Sequence, residues 1–332
     1  MNALPKKLPR TSRGAGTNRA LREPAYPVAM PAPEPDVTAL VEAKQASGTT
    51  ISVCLPARNE EATVGQIVAT VRRNLVERAP LVDEVVVMDD GSTDATAEAA
   101  GWEGARVLAV DDVLPELPRG SGKGNALWMS LFACEGDLVC WLDADVRNFG
   151  AHFVTRLLAP LLTDPAIGFV KGYYRRPLHG EVTGGGRVTE LMARPVISAL
   201  FPHLAGFVQP LAGEYAGRRT LLETVPFVEG WGVEIGLLID LVANFGIDAI
   251  AQADLDVREH RNRSLDELGP QAMAILVTGL RRAGVPVDKR LAELVRYDEA
   301  QHGQRVAVEI RERPPMVTVP AYRARFGREL SA

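Results

Sequence analysis

The sequence predicts an α/β fold, with a mostly parallel sheet flanked by helices on both faces and a helical C-terminal extension. Short apolar, β-rich runs alternate with stretches of helical period from residue 50 to residue 142. These runs are mostly apolar, as in strands of a parallel sheet covered on both faces. Acidic, basic or glycine-rich residues follow each run directly, where ligand crevices lie in such sheets.

Residues 1–46 are rich in proline, alanine and basic side chains (Lys6, Lys7, Arg10, Arg13, Arg19, Arg22) and show no period that could bury a face. They are expected to form a disordered basic arm. A catalytic domain is expected over 47–264, divided into a donor-binding half (47–150) and an acceptor half (151–264). In the first half, strands are predicted at 51–55, where Pro56 stops the ladder, and at 84–88, 105–110 and 137–142. Helices are predicted at 62–77, after Thr93 and at 123–134. The second half carries strand signals at 167–171 and 249–253 and helical ones at 187–200 and 233–244. Residues 265–332 read as a helix followed by an extended tail around Pro314 and Pro315.

Composition narrows the function. Of 332 residues, 46% are hydrophobic and 24% charged, ordinary for a globular chain able to bury a large core. A formal net charge of −5 offers no basic field for nucleic acid or an anionic membrane. No run approaches the roughly 18 apolar residues of a membrane span, and no signal peptide is evident. Cys54, Cys134 and Cys140 lie singly, which fits buried thiols in a reducing compartment. A soluble, cytoplasmic protein is expected.

The segments after the strands carry the chemistry. Pro56, Ala57, Arg58, Asn59 and Glu60 follow the first strand and lead into a helix. After the second strand, Asp89-Asp90-Gly91-Ser92 offers carboxylates for a base or ribose, or is an ordinary Asp-Gly turn. Arg119-Gly120-Ser121-Gly122-Lys123-Gly124-Asn125 lacks the glycine and hydroxyl positions of a Walker loop, yet presents amides and Lys123 at a helix start, suited to a diphosphate. The fourth strand delivers Asp143-Ala144-Asp145 at its end. Two carboxylates so close repel unless a positive charge joins them, and Mg²⁺ or Mn²⁺ would also hold substrate phosphates. Among the histidines, His260 alone sits in a polar cluster after a strand, with Arg258 and Asn262.

These motifs together resemble GT-A glycosyltransferases, the nucleotide-diphospho-sugar transferase type of α/β fold. The stretches 184–191, 209–215, 230–240 and 260–263 more specifically resemble the retaining glucosyl-3-phosphoglycerate synthases. That resemblance implies transfer of glucose from UDP-glucose to the 2-hydroxyl of 3-phosphoglycerate, with Mg²⁺ or Mn²⁺ as cofactor and a homodimeric assembly. It implies donor contacts from Pro56, Ala57, Arg58, Asn59, Glu60, Asp90 and Lys123, and from Asp143, Ala144, Trp231, Gly232, Val233 and Glu234. Asp145 and His260 would ligate the metal. Gly186, Arg187, Val188 and Thr189, with Asn262 and Arg258, would hold the acceptor phosphate, an assignment that a glycine turn entering a helix also supports. Glu234, Asp145 and Lys123 would be catalytic. Asp90 departs from the family pattern, where a serine is expected, and this bears on the choice between uridine and guanosine donors. A mannosyl-3-phosphoglycerate synthase, an inverting GT-A transferase and a non-catalytic nucleotide-sugar-binding protein are the alternatives.

Overall fold

The computed structural model describes residues 34–178, 181–184, 186–259, 264–287, 293–297 and 301–328, by backbone alone at 177–178 and 181–184. The first half alternates strand and helix: α1 (Val37–Ser47), β1 (Ile51–Ala57), α2 (Val64–Val71), β2 (Glu84–Asp89), α3 (Thr96–Trp102), β3 (Arg106–Ala109), α4 (Gly122–Ala133) and β4 (Leu138–Trp141). The chain continues through α5 (His152–Thr163), β5 (Phe169–Arg175), β6 (Pro177–Leu178), β7 (Glu181–Gly184), α6 (Arg194–Leu200), β8 (Tyr215–Arg218), α7 (Arg219–Leu222) and β9 (Phe227–Val228). It ends with α8 (Val233–Phe245), β10 (Ile250–Val257), α9 (Leu265–Arg282), β11 (Glu293–Tyr297), β12 (Gly303–Ala307), β13 (Glu312–Arg313) and α10 (Pro320–Phe326).

A seven-stranded sheet in the order β10-β5-β8-β4-β1-β2-β3 organises the molecule. Only β8 runs against the others, pairing antiparallel with β4 and β5. Alternate side chains of the same strands feed two cores. Cys54, Val86, Met88 and Trp141 enter one, whereas Val53, Leu55, Val87 and Cys140 enter the other. The expected mostly parallel sheet covered on both faces is therefore present, and its central strands β1, β2 and β4 are mostly apolar because both sides are buried.

Several details differ from the sequence reading. Residues 37–47, expected to belong largely to the arm, form α1, capped by the Asp36 side chain accepting from Thr38 N and closed by the left-handed Gly48. Its apolar stripe is thin, with only Leu40 and Lys44 buried, so no helical period stood out. Residues 1–33 lie outside the described ones.

β1 runs past its predicted stop to Ala57, pairing Pro56 with Met88. Cys54 O faces β4 and accepts from Leu142 N, and two residues on Pro56 faces the same side, beyond the last β4 pair at Cys54 and Trp141. Its missing N–H therefore costs no ladder bond. Strand β8 went unread because Tyr-Ala-Gly-Arg has weak strand character. Its Gly217 packs closely, as a Cβ there would stand 3.0 Å from the Phe169 ring and press it aside.

The tail beyond 282 is not simply extended. β11 and β12 form an antiparallel hairpin, and β13 pairs with β9 beside the cleft described below.

Candidate active site

At the carboxyl ends of β1, β2 and β4 opens a cleft of about 450 Å³. Much of its lining comes from strand ends and helix starts. Pro56, Ala57, Arg58 and Glu60 come from the end of β1, Asp90 follows β2, and Asp143, Ala144 and Asp145 follow β4. Lys123 stands in the first turn of α4, and Trp231 and Glu234 at the entry to α8. Gly186, Arg187, Val188 and Thr189 also line it, and Arg258 enters from the end of β10.

Charge alternates through this cleft. Lys123 Nζ pairs with Asp143 Oδ1 and lies 2.8 Å from Glu234 Oε1. Arg258 Nη2 reaches Asp143 Oδ2 at 2.8 Å and Asp145 Oδ1 at 2.6 Å, and its Nε lies 2.9 Å from Glu214 Oε1. Burial opposes charge on Lys123, but the Asp143 and Glu234 carboxylates hold its ammonium well above the usual range. Burial would raise Asp143 likewise, and the Lys123 and Arg258 charges reverse it, so its carboxyl titrates well below the ordinary range. For Glu214, fully buried, desolvation prevails over Arg258 and pushes the carboxyl up.

Local geometry explains why the sequence places these groups so. Gly122 and Gly230 adopt φ of 76° and 68°, turning the chain into α4 and α8. A Cβ on Gly213 would lie 2.1 Å from Asp143 Oδ2, so only glycine lets the Asp143 carboxylate pass. Thr63 Oγ1 donates to Ala144 O at 2.6 Å, tying α2 to the acidic loop. Asn59, itself left-handed at φ 57°, accepts from Thr93 N at 2.8 Å. Its side chain fastens the loop after β1 to the loop after β2, and it does not line the cleft.

Most of the residues singled out from the sequence thus meet in one place. Asn59 shapes the rim from behind. Gly232 and Val233 are buried under the entry to α8, where a Cβ on Gly232 would stand 2.4 Å from Thr278 Oγ1. His260 and Asn262 lie outside the described residues. Arg258, expected near an acceptor phosphate, is 3% exposed and pairs with the carboxylates of Asp143, Asp145 and Glu214. Its charge is held at the cleft wall by the Asp143 and Asp145 carboxylates, both of which accept from Nη2.

The sequence reading missed Glu214, Lys171 and Arg176. Lys171 interrupts the apolar run of β5 and Glu214 follows Ala212-Gly213 just before β8, a signal that could have found those two; Arg176, beside Arg175, gave none. Lys171, 2% exposed on β5, donates to Ala212 O at 2.7 Å beneath the loop carrying Gly213 and Glu214. Arg176 lines the cleft and donates to the Tyr174 hydroxyl at 2.7 Å. The helix α9, expected to lie in an extension beyond the catalytic domain, also lines the cleft with Leu268, Gln271 and Ile275. Their spacing of three and four puts them on one helical face, so the boundary at 264 divides the site.

The donor set suits a hard divalent cation. Asp145 presents carboxylate oxygens at the cleft wall, its side chain 21% exposed. Among the described residues no three ligating side chains converge. Mg²⁺ and Mn²⁺ commonly take one or two carboxylates and complete their shell with substrate phosphates and water, which this cleft has room to supply.

Comparison with known proteins places these features in context. The profile of Glycosyl transferase family 2 matches residues 52–186. Over 306 residues the chain is 40% identical to the glucosyl-3-phosphoglycerate synthase of Petrotoga mobilis, spanning 89% of this chain and 94% of that one. It is 51% identical over 247 residues to the enzyme of the same name from Mycobacterium tuberculosis, covering 72% and 75% of the two chains. A crystal structure of the M. tuberculosis enzyme with Mn²⁺, UDP-glucose and phosphoglyceric acid superposes with a TM-score of 0.81 at 44% identity, covering 89% of this chain and 99% of that one. Another, holding Mn²⁺, UDP and glucosyl-3-phosphoglycerate, matches with the same score and identity over 88% and 99%.

Proposed function

The chain belongs to the glucosyl-3-phosphoglycerate synthases, and from that membership we propose the following reading of its cleft. It is a metal-dependent glycosyltransferase that moves glucose from UDP-glucose to 3-phosphoglycerate. Attack comes from the 2-hydroxyl of the acceptor and the anomeric configuration is retained. The single observation that carries the residue roles is the meeting of Lys123, Glu234, Asp143 and Asp145 in one cleft also lined by Gly186 to Thr189.

Asp145, with His260, would hold the Mg²⁺ or Mn²⁺. When bound, that ion supplies Lewis-acid neutralisation of the diphosphate. The chain's own residues do the rest. Lys123 stays protonated, stands at the N-terminus of α4 and offers its ammonium to the leaving UDP, where negative charge accumulates. Glu234 is 6% exposed, positioned to accept hydrogen bonds from glucose hydroxyls and to orient the acceptor. Pro56, Ala57, Arg58, Glu60 and Asp90 face the nucleotide side, and Arg58 stands 3.9 Å from Asp90, with Asn59 holding this loop from behind. In the same cleft, Arg187 and Thr189 supply a guanidinium and a hydroxyl to the acceptor phosphate.

No helix among the described residues is long and apolar enough to cross a membrane. Cytoplasmic residence and a homodimer complete the reading, since both substrates are soluble phosphorylated metabolites and the family resemblance implies the dimer. The test is a donor-by-acceptor screen with Mg²⁺ or Mn²⁺, pairing UDP-glucose, GDP-glucose and GDP-mannose with 3-phosphoglycerate and reading product stereochemistry by NMR. Exclusive use of a mannose donor, or an inverted product, would overturn the reading.

A further inference from the structure

We propose that Arg313, on the short C-terminal strand β13, is a positioning residue that sets the donor end of the cleft by locking the turn of Lys123 to the turn of Trp231 and Glu234. The inference rests on the cleft reading given above.

Arg313 is 7% exposed and lines no part of the cleft itself. Its guanidinium is shared between two loops that do. Toward the Lys123 turn, Nη2 donates to Pro118 O at 2.8 Å and Nε donates to Asn125 Oδ1 at 2.9 Å. Toward the Trp231 turn, Nε lies 3.0 Å from Glu229 Oε1, and the other Glu229 oxygen, Oε2, accepts from Ser121 N at 3.4 Å. A closed circuit runs from Arg313 through Glu229 to Ser121 and back through Asn125. Lys123 lies between Ser121 and Asn125, and Trp231 lies two residues after Glu229.

Backbone packing makes the two turns sensitive to this clamp. A Cβ on Gly122 would stand 3.0 Å from Gly230 Cα, and one on Gly124 would stand 1.9 Å from Val228 O. Nothing cushions the contact, so a shift of one turn is passed to the other. The strand itself is held by its ladder to β9, by the Trp128 indole donating to Pro314 O at 2.7 Å, and by the Arg313 guanidinium stacked 5.1 Å over the Trp128 ring. A planar fork serves two loops at once, whereas a lysine would keep only the charge facing Glu229. None of these bonds reaches residues 186–189, so the clamp acts directly on the donor end.

The test compares wild type, Arg313→Gln and Arg313→Lys in steady-state transfer, each substrate varied in turn. UDP titration in the presence of Mn²⁺ and urea unfolding are run alongside. In folded Arg313→Gln, kcat falls about tenfold or more and both KM for UDP-glucose and the UDP dissociation constant rise severalfold, because a small displacement of catalytic groups is costly. KM for 3-phosphoglycerate stays within about twofold, and Arg313→Lys recovers part of the loss. A stability loss with unchanged kcat and donor KM would reduce Arg313 to a structural role and overturn the proposal, as would an equal rise in both KM values. If Arg313→Gln does not fold, Glu229→Gln takes its place: the same split between donor and acceptor supports the clamp, and unchanged kcat and donor KM overturn it. Wild-type protein that transfers no glucose would sink the cleft reading instead, and the effect of the variants on UDP affinity would still decide the role of Arg313.

Discussion

Lys123 Nζ lies 2.8 Å from Glu234 Oε1, so the first turn of α4 and the first turn of α8 meet as opposite charges inside one cleft. Neither helix start forms the site alone. The pair, with Asp143 as the second partner of the ammonium, sets one cation between two carboxylates at the cleft wall.

Lys123→Met removes the ammonium and leaves Asp143 and Glu234 facing each other without their shared counter-charge. We expect kcat to fall by about 10²- to 10³-fold, the scale of losing one preorganised electrostatic contact in a closed site. Stopped assays of UDP release check this, and a drop of less than about threefold would remove Lys123 from the leaving-group role.

Asp145→Ala is expected to abolish transfer without loss of fold, since Asp145 lies at the cleft wall and outside both apolar cores. Chelation by EDTA should silence the wild type, and Mn²⁺ or Mg²⁺ should restore it, because the carboxylates here bind hard cations. Circular dichroism and a metal titration of activity read the outcome. An active Asp145→Ala enzyme with unaltered metal dependence would contradict the assignment.

Arg187→Ala should raise KM for 3-phosphoglycerate by about tenfold or more while KM for UDP-glucose barely moves, since a charged hydrogen bond to phosphate is worth about 1.5–3 kcal/mol. Arg187 lines the same cleft as the Lys123 turn. Equal effects on both substrates would move the acceptor phosphate elsewhere.

Lys171 gives a pH signature. Burial pushes its ammonium down to about 7, against the opposing pull of Glu234. An unfolded lysine holds its proton to about 10.4, so between about pH 7 and that value the unfolded chain binds the extra proton. Stability from this residue therefore grows as pH rises through 7 and is lost as pH falls. Relative to Lys171→Met, the wild type should gain in urea midpoint between about pH 6.5 and pH 9. Parallel profiles for the two proteins would show that Lys171 does not titrate in this window.

Much of the fold was legible because buried strands announce themselves. The runs at 51–55, 84–88 and 137–142 are apolar on both faces, and each appeared as β1, β2 or β4 within a residue or two. Strand β8 was hidden because its stability comes from neighbours on both sides, not from its own four residues. Helix α1 was hidden because it buries too little to leave a period.

What the sequence determined by itself is the inventory of chemistry: Asp143, Asp145, Lys123 and Glu234 are polar groups that follow apolar runs or open helices, and local sequence settles that much. Their mutual distances were decided by tertiary structure alone. Arg258 pairs with Asp145, Glu214 buries its carboxyl behind that guanidinium, and Arg313 reaches Asn125 and Glu229 from the far end of the chain. Such contacts depend on how strands and helices pack in three dimensions. The propensities and periodicities of a linear sequence describe each segment against its own neighbours, so no pairing between distant side chains is encoded in any one segment.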